Sequence, residues 1–316
     1  MLRGLAQASL LFSVAHVPGG RRAYHAVTRG VFGSQDRVVR KLARVWPGYV
    51  GVWRERCGLT LEGRDVWVHE PGAVPFAPLA AYLLTGRGAL VSTTGDAPSD
   101  RCVGSAVRGV LGAAFEVEGA EPSRRRAAIA ALERANFAEL LRLTGSCAAT
   151  ARDPGALPFP DGGADLCHSG GALEHYTEPC LRAFLRESFR VLRPGGVSSH
   201  VYDHRDHLRH VDPRWPFLAH MALPDRVHRA LFGHALLFHN RLAPREVLAL
   251  FAEAGFELVA ARRFVLPHKR YVDGDATALG EAGAPAWLRS GRLARLSRED
   301  RHTAAIHYLH RKPRRA

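Results

Sequence analysis

The sequence predicts an α/β protein, a mostly parallel sheet covered by helices on both faces. Three observations predict it. From residue 65 onward, short apolar runs alternate with segments of helical period. Turn residues stand at the junctions: Pro71-Gly72 after "DVWVH", "RPGG" after a helical run, and Gly255 after another. The chain has 316 residues, 47% hydrophobic and 23% charged, which suits one large globular domain or a domain with an appendage.

Taken in order, residues 1–60 read as helices with polar breaks, a helical N-terminal cap ahead of a single α/β domain over 61–316. Within it, "LAQASLLFSVAHVPGG" is read as helix. Its apolar core "LLFSV" is shorter than the roughly 7–15 residues of a secretory signal. "QDRVVRKLARVW" spaces Val38, Val39, Leu42, Val45 and Trp46 as one helical face. "DVWVH" and "GALVST" read as strands around "PFAPLAAYLL", a helix that can begin at a proline. "PSRRRAAIAALERANFAELLRL" reads as one long helix capped by Ser123. "SCAATARD" reads as a strand ending at Asp153.

"ADLCHSG" is the next strand. "TEPCLRAFLRESFRVL" places Leu181, Phe184, Leu185, Phe189 and Leu192 on one face of a helix. "VSSHVYDH" is a strand, and about 205–242 is a helical insertion. "APREVLALFAEAG", "FELVAARRFV" and "TAAIHYLHRK" close the domain as helix, strand and strand, giving seven strands. In such sheets ligands bind beyond the carboxyl ends of the strands. The tips after His69, Thr94, Asp153, Ser169 and Tyr202 therefore become neighbours.

Composition narrows the function. The formal charge is +14, but Lys41, Lys269 and Lys312 are the only lysines among 44 basic residues. That skew toward arginine reflects a GC-rich genome rather than phosphate contacts. The basic run at 123–128 reads as a solvated helix face, so nucleic acid is not an expected partner. No run approaches the roughly 18 apolar residues of a membrane span. The five cysteines form no C-x-x-C pair, which fits a reducing cytoplasm.

"ARDPGALPFPDGGADLCHSGGALEHYTEP", followed by "LRESFRVLRPGG", resembles the class I S-adenosylmethionine-dependent methyltransferases, in particular the bacterial type 11 group. The match runs through Asp153, Leu157 to Asp161, Ser169, Leu173-Glu174-His175 and Arg190 to Gly196. "YDHRDHLRHVD" and "HNRL" look like a bacterial subgroup. The resemblance implies a Rossmann-like seven-stranded sheet and S-adenosylmethionine as cofactor. It also implies methyl transfer to a small-molecule acceptor, in bacterial secondary metabolism. Asp153 then matches the acid that accepts the adenine amino group, and Ser169 lies at the end of the strand that follows.

The first half of the cofactor pattern departs from the family. Pro71, Gly72 and Pro75 match, but Val68 stands where the first acid belongs, Glu70 at the first glycine and Thr94 at the ribose acid. Cofactor contacts are therefore expected from Glu70, Pro71, Gly72, Thr94, Asp153 and Ser169. Glu70 either replaces the acid missing at 68 or blocks the site. The alternative expectation is a methyltransferase fold whose cofactor site is lost or repurposed. Such a chain would serve as a partner subunit, a lyase or a cyclase.

"YDHRDHLRHVD" packs acids and imidazoles at one strand tip. Its spacing fits no metal-ligand pattern, so no metal is assigned. The expected catalytic residues are His175, Asp206 and His207, on the acceptor side, where an imidazole can take a proton from a hydroxyl or amine.

Overall fold

The computed structural model describes residues 35–265, 270–273 and 291–314, except 71, 73, 94–97, 117–119, 151–152, 211–214, 217 and 235–237, together with six positions before residue 18. Eight strands form one sheet: β1 (Val66–His69), β2 (Leu90–Thr93), β3 (Cys147–Thr150), β4 (Ala164–Gly170), β5 (Leu192–Asp203), β6 (Glu257–Val265), β7 (Arg270–Asp273) and β8 (Thr303–Arg311). Their order is β3-β2-β1-β4-β5-β8-β6-β7. The first five pair in parallel, and β8 runs antiparallel between β5 and β6. The seven expected strands are present, and β7 adds a short edge strand beside β6.

The order reverses direction between β1 and β4, where chain connections leave a crevice at the carboxyl ends. β1 sits at that point, with Val68 opposite Val91 on one side and His168 on the other. Alternation along β1 feeds two cores. Val66 and Val68 pack with helix α1 (Gln35–Cys57) and helix α2 (Phe76–Thr85) through Trp46, Trp53, Phe76 and Leu83. Trp67 faces helix α3 (Glu178–Val191) on the opposite face, its ring 5.7 Å from Phe184. Leu181, Phe184 and Leu185 of α3 are fully buried, as the helical spacing requires, each contributing about 1.5–3 kcal/mol of transfer energy.

Local chemistry explains the boundaries. Thr177 caps α3, its hydroxyl accepting from Cys180 N–H at 3.4 Å. The helix stops at Val191, three residues before Pro194. "RPGG" does not lie outside the sheet as expected. β5 begins at Leu192, pairs with Ala164, and bulges before Val197 meets Leu166. The single long helix after residue 122 is also corrected. It is two helices, Ala120–Ala130 and Phe137–Thr144. Asn136 breaks it by forming a reciprocal cap: its side chain accepts from Glu139 N–H at 2.9 Å, and Glu139 accepts from Asn136 N–H at 2.8 Å. The first of these helices starts at Ala120, ahead of Ser123. The basic run on it is partly tied down, with Arg125 buried and paired to Glu62. β3 ends at Thr150, so Asp153 lies in the loop beyond it.

Between β5 and the helix Pro244–Glu253 the chain forms a short turn at His207–His210 and helices Ala219–Ala222 and Asp225–Phe232. These pack around Leu208, Trp215 and Phe232. No helix among the described residues is long and apolar enough to cross a membrane. All five cysteines are free.

Candidate functional site

A cleft of about 560 Å³ opens at the carboxyl ends of β1, β4 and β5 and is walled by α1. α1 presents Lys41, Leu42, Val45, Trp46 and Tyr49 to it. That face is locked to the sheet by Trp53, whose indole N–H donates to Ser199 Oγ at 2.7 Å. Ser199 Oγ also meets His168 Nδ1 at 3.2 Å and His307 Nε2 at 2.8 Å, so one hydroxyl joins α1, β4, β5 and β8.

The turn after β1 carries the unusual glutamate. Glu70 has φ 50°, the one described non-glycine residue with positive φ, and Gly72 has φ 74°. A left-handed backbone explains why glycine would suit position 70. A Cβ at Gly72 would meet nothing within 4 Å, so backbone there faces open space. Glu70 is held where it stands. Its Oε2 accepts from Thr93 Oγ1 at 3.0 Å, and its Oε1 from the Tyr176 hydroxyl at 3.5 Å. Behind it, the His69 ring bonds Ser92 Oγ at 2.8 Å and Tyr176 Oη at 2.6 Å. Burial holds His69 down to about 4, against the raising effect of Glu70, so the ring stays neutral. Val68 is buried and offers no carboxylate.

The other expected cofactor residues fall out differently. Pro71 and Thr94 lie outside the described residues. Ser169 lines the cleft, but its Oγ is bonded to His200 Nδ1 at 2.7 Å. Asp153 is exposed, does not line the cleft, and uses Oδ1 to accept from Gly155 N–H at 2.8 Å.

Of the expected catalytic residues, His175 and His207 come together at the cleft, with ring centroids 4.8 Å apart. His175 Nδ1 lies 2.8 Å from the Phe238 carbonyl oxygen. A carbonyl only accepts, so Nδ1 carries the proton and Nε2 is the basic nitrogen. Asp206 does not reach the cleft. It is fully buried, and its Oδ1 accepts from Leu208 N–H at 3.0 Å, which shapes the turn bearing His207. Burial pushes its carboxyl up to about 6. Asp203 lines the cleft, and burial alone would raise its carboxyl. The Arg205 guanidinium, bonded to both its oxygens, brings it down to about 2.

Sequence reasoning missed four contributors. Glu174 lines the cleft, and burial, then the charge of Asp203, holds its carboxyl well above the usual range. Tyr176 links His69 to Glu70. Asn240, in the "HNRL" stretch, donates to the carbonyls of Leu173 (3.1 Å) and Tyr176 (2.9 Å) and so fixes the "LEH" turn. Tyr202 donates to its carboxamide oxygen. "HNRL" was visible as a signal, but its partner was not. α1 as a cleft wall had no signal, because helical period does not tell which helix meets which strand end.

The arrangement can hold a ligand between α1 and the strand ends, with the imidazoles of His175 and His207 and the carboxyl groups of Glu70, Glu174 and Asp203 in its lining. The family model described as a methyltransferase domain matches residues 102–199, beginning beyond the Glu70 turn. No curated protein gives a significant match. Among solved structures the chain is similar to an S-adenosylmethionine-dependent methyltransferase from Mesorhizobium loti, at 15% identity over 84% of this chain and 97% of that one, with TM-score 0.46. It is also similar to the geranyl diphosphate C-methyltransferase of Streptomyces coelicolor A3(2), determined with Mg2+, geranyl diphosphate and S-adenosyl-L-homocysteine, at 11% identity over 84% and 78%, TM-score 0.43. The cyclase SpnF matches at 16% identity over 84% and 80%, TM-score 0.42. Residues 102–199 thus match a methyltransferase domain, and the sheet order is that of the Rossmann-like methyltransferase fold.

Proposed function

We propose that the chain catalyses methyl transfer from S-adenosylmethionine to a small molecule held in the cleft. One observation carries the reading: the β1 turn keeps the left-handed backbone at Glu70 and Gly72, with open space at Gly72, in front of a cleft large enough for a cofactor and an acceptor. These residues fit the methionine end of the cofactor. Backbone can approach it at Gly72, and Glu70 supplies the carboxylate that Val68 lacks. Asp153, which does not line the cleft, would meet the adenine amino group only where the cofactor extends beyond it. When bound, the cofactor supplies an electrophilic methyl on a sulfonium.

The chain's own groups do the rest. Trp46 and Tyr49 of α1 line the wall of the cleft opposite the strand ends. In this reading α1, the described part of the N-terminal helical section, caps the site. His175, with Nε2 unprotonated, and His207 beside it stand on the acceptor side and remove the proton from its hydroxyl or amine. Orientation in the cleft supplies much of the remaining acceleration. The acceptor's placement in bacterial secondary metabolism, and a cytoplasmic setting, are part of this proposal.

A second reading is favoured by Val68 and by the unusual Glu70. The fold would have given up methyl transfer and would act as a partner subunit, or as a lyase or cyclase in the same cleft. Ultraviolet crosslinking with methyl-tritiated S-adenosylmethionine separates the two. Methyl transfer predicts label on the protein that excess S-adenosylhomocysteine removes. Absence of competable label favours the second reading.

A further inference from the structure

The turns after β4 and β5 bring three metal-type donors together. Glu174, His175 and His207 each present one ligand atom, and all three atoms lie within 4.8 Å of one another. All three residues line the cleft. Glu174 is buried at 1% exposure, and its Oε2 has no hydrogen-bond partner. A buried carboxylate oxygen without a partner is costly, and a cation removes that cost. His175 is already oriented. Its Nδ1–H donates to the Phe238 carbonyl at 2.8 Å, leaving Nε2 as the donor atom. Metal-ligating histidines are held by that kind of outer hydrogen bond.

We propose that Glu174, His175 and His207 bind one divalent first-row transition-metal ion such as Zn2+. Two imidazoles and a carboxylate suit such ions rather than Mg2+ or Ca2+. Ligand distances of about 2.0–2.2 Å require donor atoms roughly 3–4 Å apart, which small side-chain rotations provide. Three protein ligands leave a coordination position open toward the cleft. An acceptor hydroxyl bound there is acidified. Its O–H bond breaks with the electron pair staying on oxygen, and the proton leaves to water. The two histidines would then act on the acceptor's proton as ligands of the ion. That role rests on the methyl-transfer reading, whereas the metal site itself does not. The sequence hid it because the donors come from two separate turns, with no ligand spacing along either.

The test is metal binding by the full chain, stripped with EDTA and titrated with Zn2+ by calorimetry and with Co2+ by visible absorption. One saturable equivalent is expected, with Co2+ giving d–d bands. Glu174→Gln and His175→Ala should each weaken binding about tenfold or more. His228→Ala, outside the cleft, should leave it unchanged. No saturable binding, or binding untouched by both cleft variants, overturns the proposal. His175 is exposed, so its variant decides the matter if Glu174→Gln fails to fold. S-adenosylhomocysteine binding is measured on the same metal-free samples. If it persists while metal binding is absent, the metal site alone is wrong; if it too is absent, the methyl-transfer reading fails separately.

Discussion

Thr93 at the end of β2 donates its hydroxyl to Glu70 Oε2 at 3.0 Å, joining that strand tip to the first residue beyond β1. Glu70 holds this bond from a left-handed backbone, φ 50°. Such a conformation costs a non-glycine residue about 1–3 kcal/mol. Thr93→Val keeps the strain and loses the bond, so it should destabilise the protein by about 1 kcal/mol. Glu70→Gly loses the bond and the strain together, and should stay within about 1 kcal/mol of the native protein. Denaturant unfolding of both variants checks this; a Glu70→Gly loss above about 3 kcal/mol would mean the carboxylate is structural first.

The imidazole pair is expected to act on the acceptor, whichever way it removes the proton. His207→Ala should lower kcat by about tenfold or more and leave S-adenosylhomocysteine affinity within about threefold. Steady-state kinetics beside calorimetry reads both. A matching loss of cofactor affinity would put the pair on the wrong side of the cleft.

Acid should unfold the protein. Burial holds His69 and His168 down to about 4 and His204 to about 3. In the unfolded chain each titrates near pH 6.5. Above that pH neither state binds the proton. Below it only the unfolded chain does, so stability falls as pH drops toward the folded values. Asp206, pushed up to about 6, works in the opposite sense, and so does Glu174. Their burial is a penalty above their folded values that is relieved as pH falls. His200, His220 and His307, also lowered by burial, leave the histidines in the majority. Between about pH 6 and 4 stability should drop, by about 1.4 kcal/mol per unit for each net proton taken up on unfolding. Melting temperatures measured from pH 7 to 4.5 report it, and a flat profile contradicts the buried neutral imidazoles.

Ser199 is a hub under α1. Ser199→Ala strands the Trp53 indole N–H and removes a partner from His168 and His307. Each buried group left without a partner costs about 1–3 kcal/mol. Hydrogen exchange should show α1 opening more readily in the variant, with β1 and β4 protected as before. Uniform loosening of the whole sheet would show that α1 is not a separable wall of the cleft.

Much of the fold was legible because burial on both sheet faces leaves a simple imprint. Val66 and Val68 face one core and Trp67 the other, and Leu181, Phe184 and Leu185 keep the period of α3. The long helix was misread because Ile129 to Leu141 keep helical composition across the break; the N-x-x-E signature at Asn136 and Glu139 was the overlooked cue. At the site, Glu70 was legible as an anomaly, since a glutamate replaced an expected glycine. Its partners Thr93 and Tyr176 were not, being 23 and 106 residues away. Asp206 and His207 are adjacent in sequence, yet one is buried under its own turn and the other faces the cleft. Residue type cannot separate neighbours whose side chains leave a turn in opposite directions.

Glu70 is expected to be the working acid of a live cofactor site. Calorimetric titration of the native chain and Glu70→Gly with S-adenosylhomocysteine tests it most directly. One equivalent should bind with Kd of about 10 μM or tighter, weakened at least about tenfold, or about 1.4 kcal/mol, in Glu70→Gly. Native binding weaker than about 100 μM that tightens in Glu70→Gly would contradict it, and would make the glutamate an obstruction in a site that no longer serves methyl transfer.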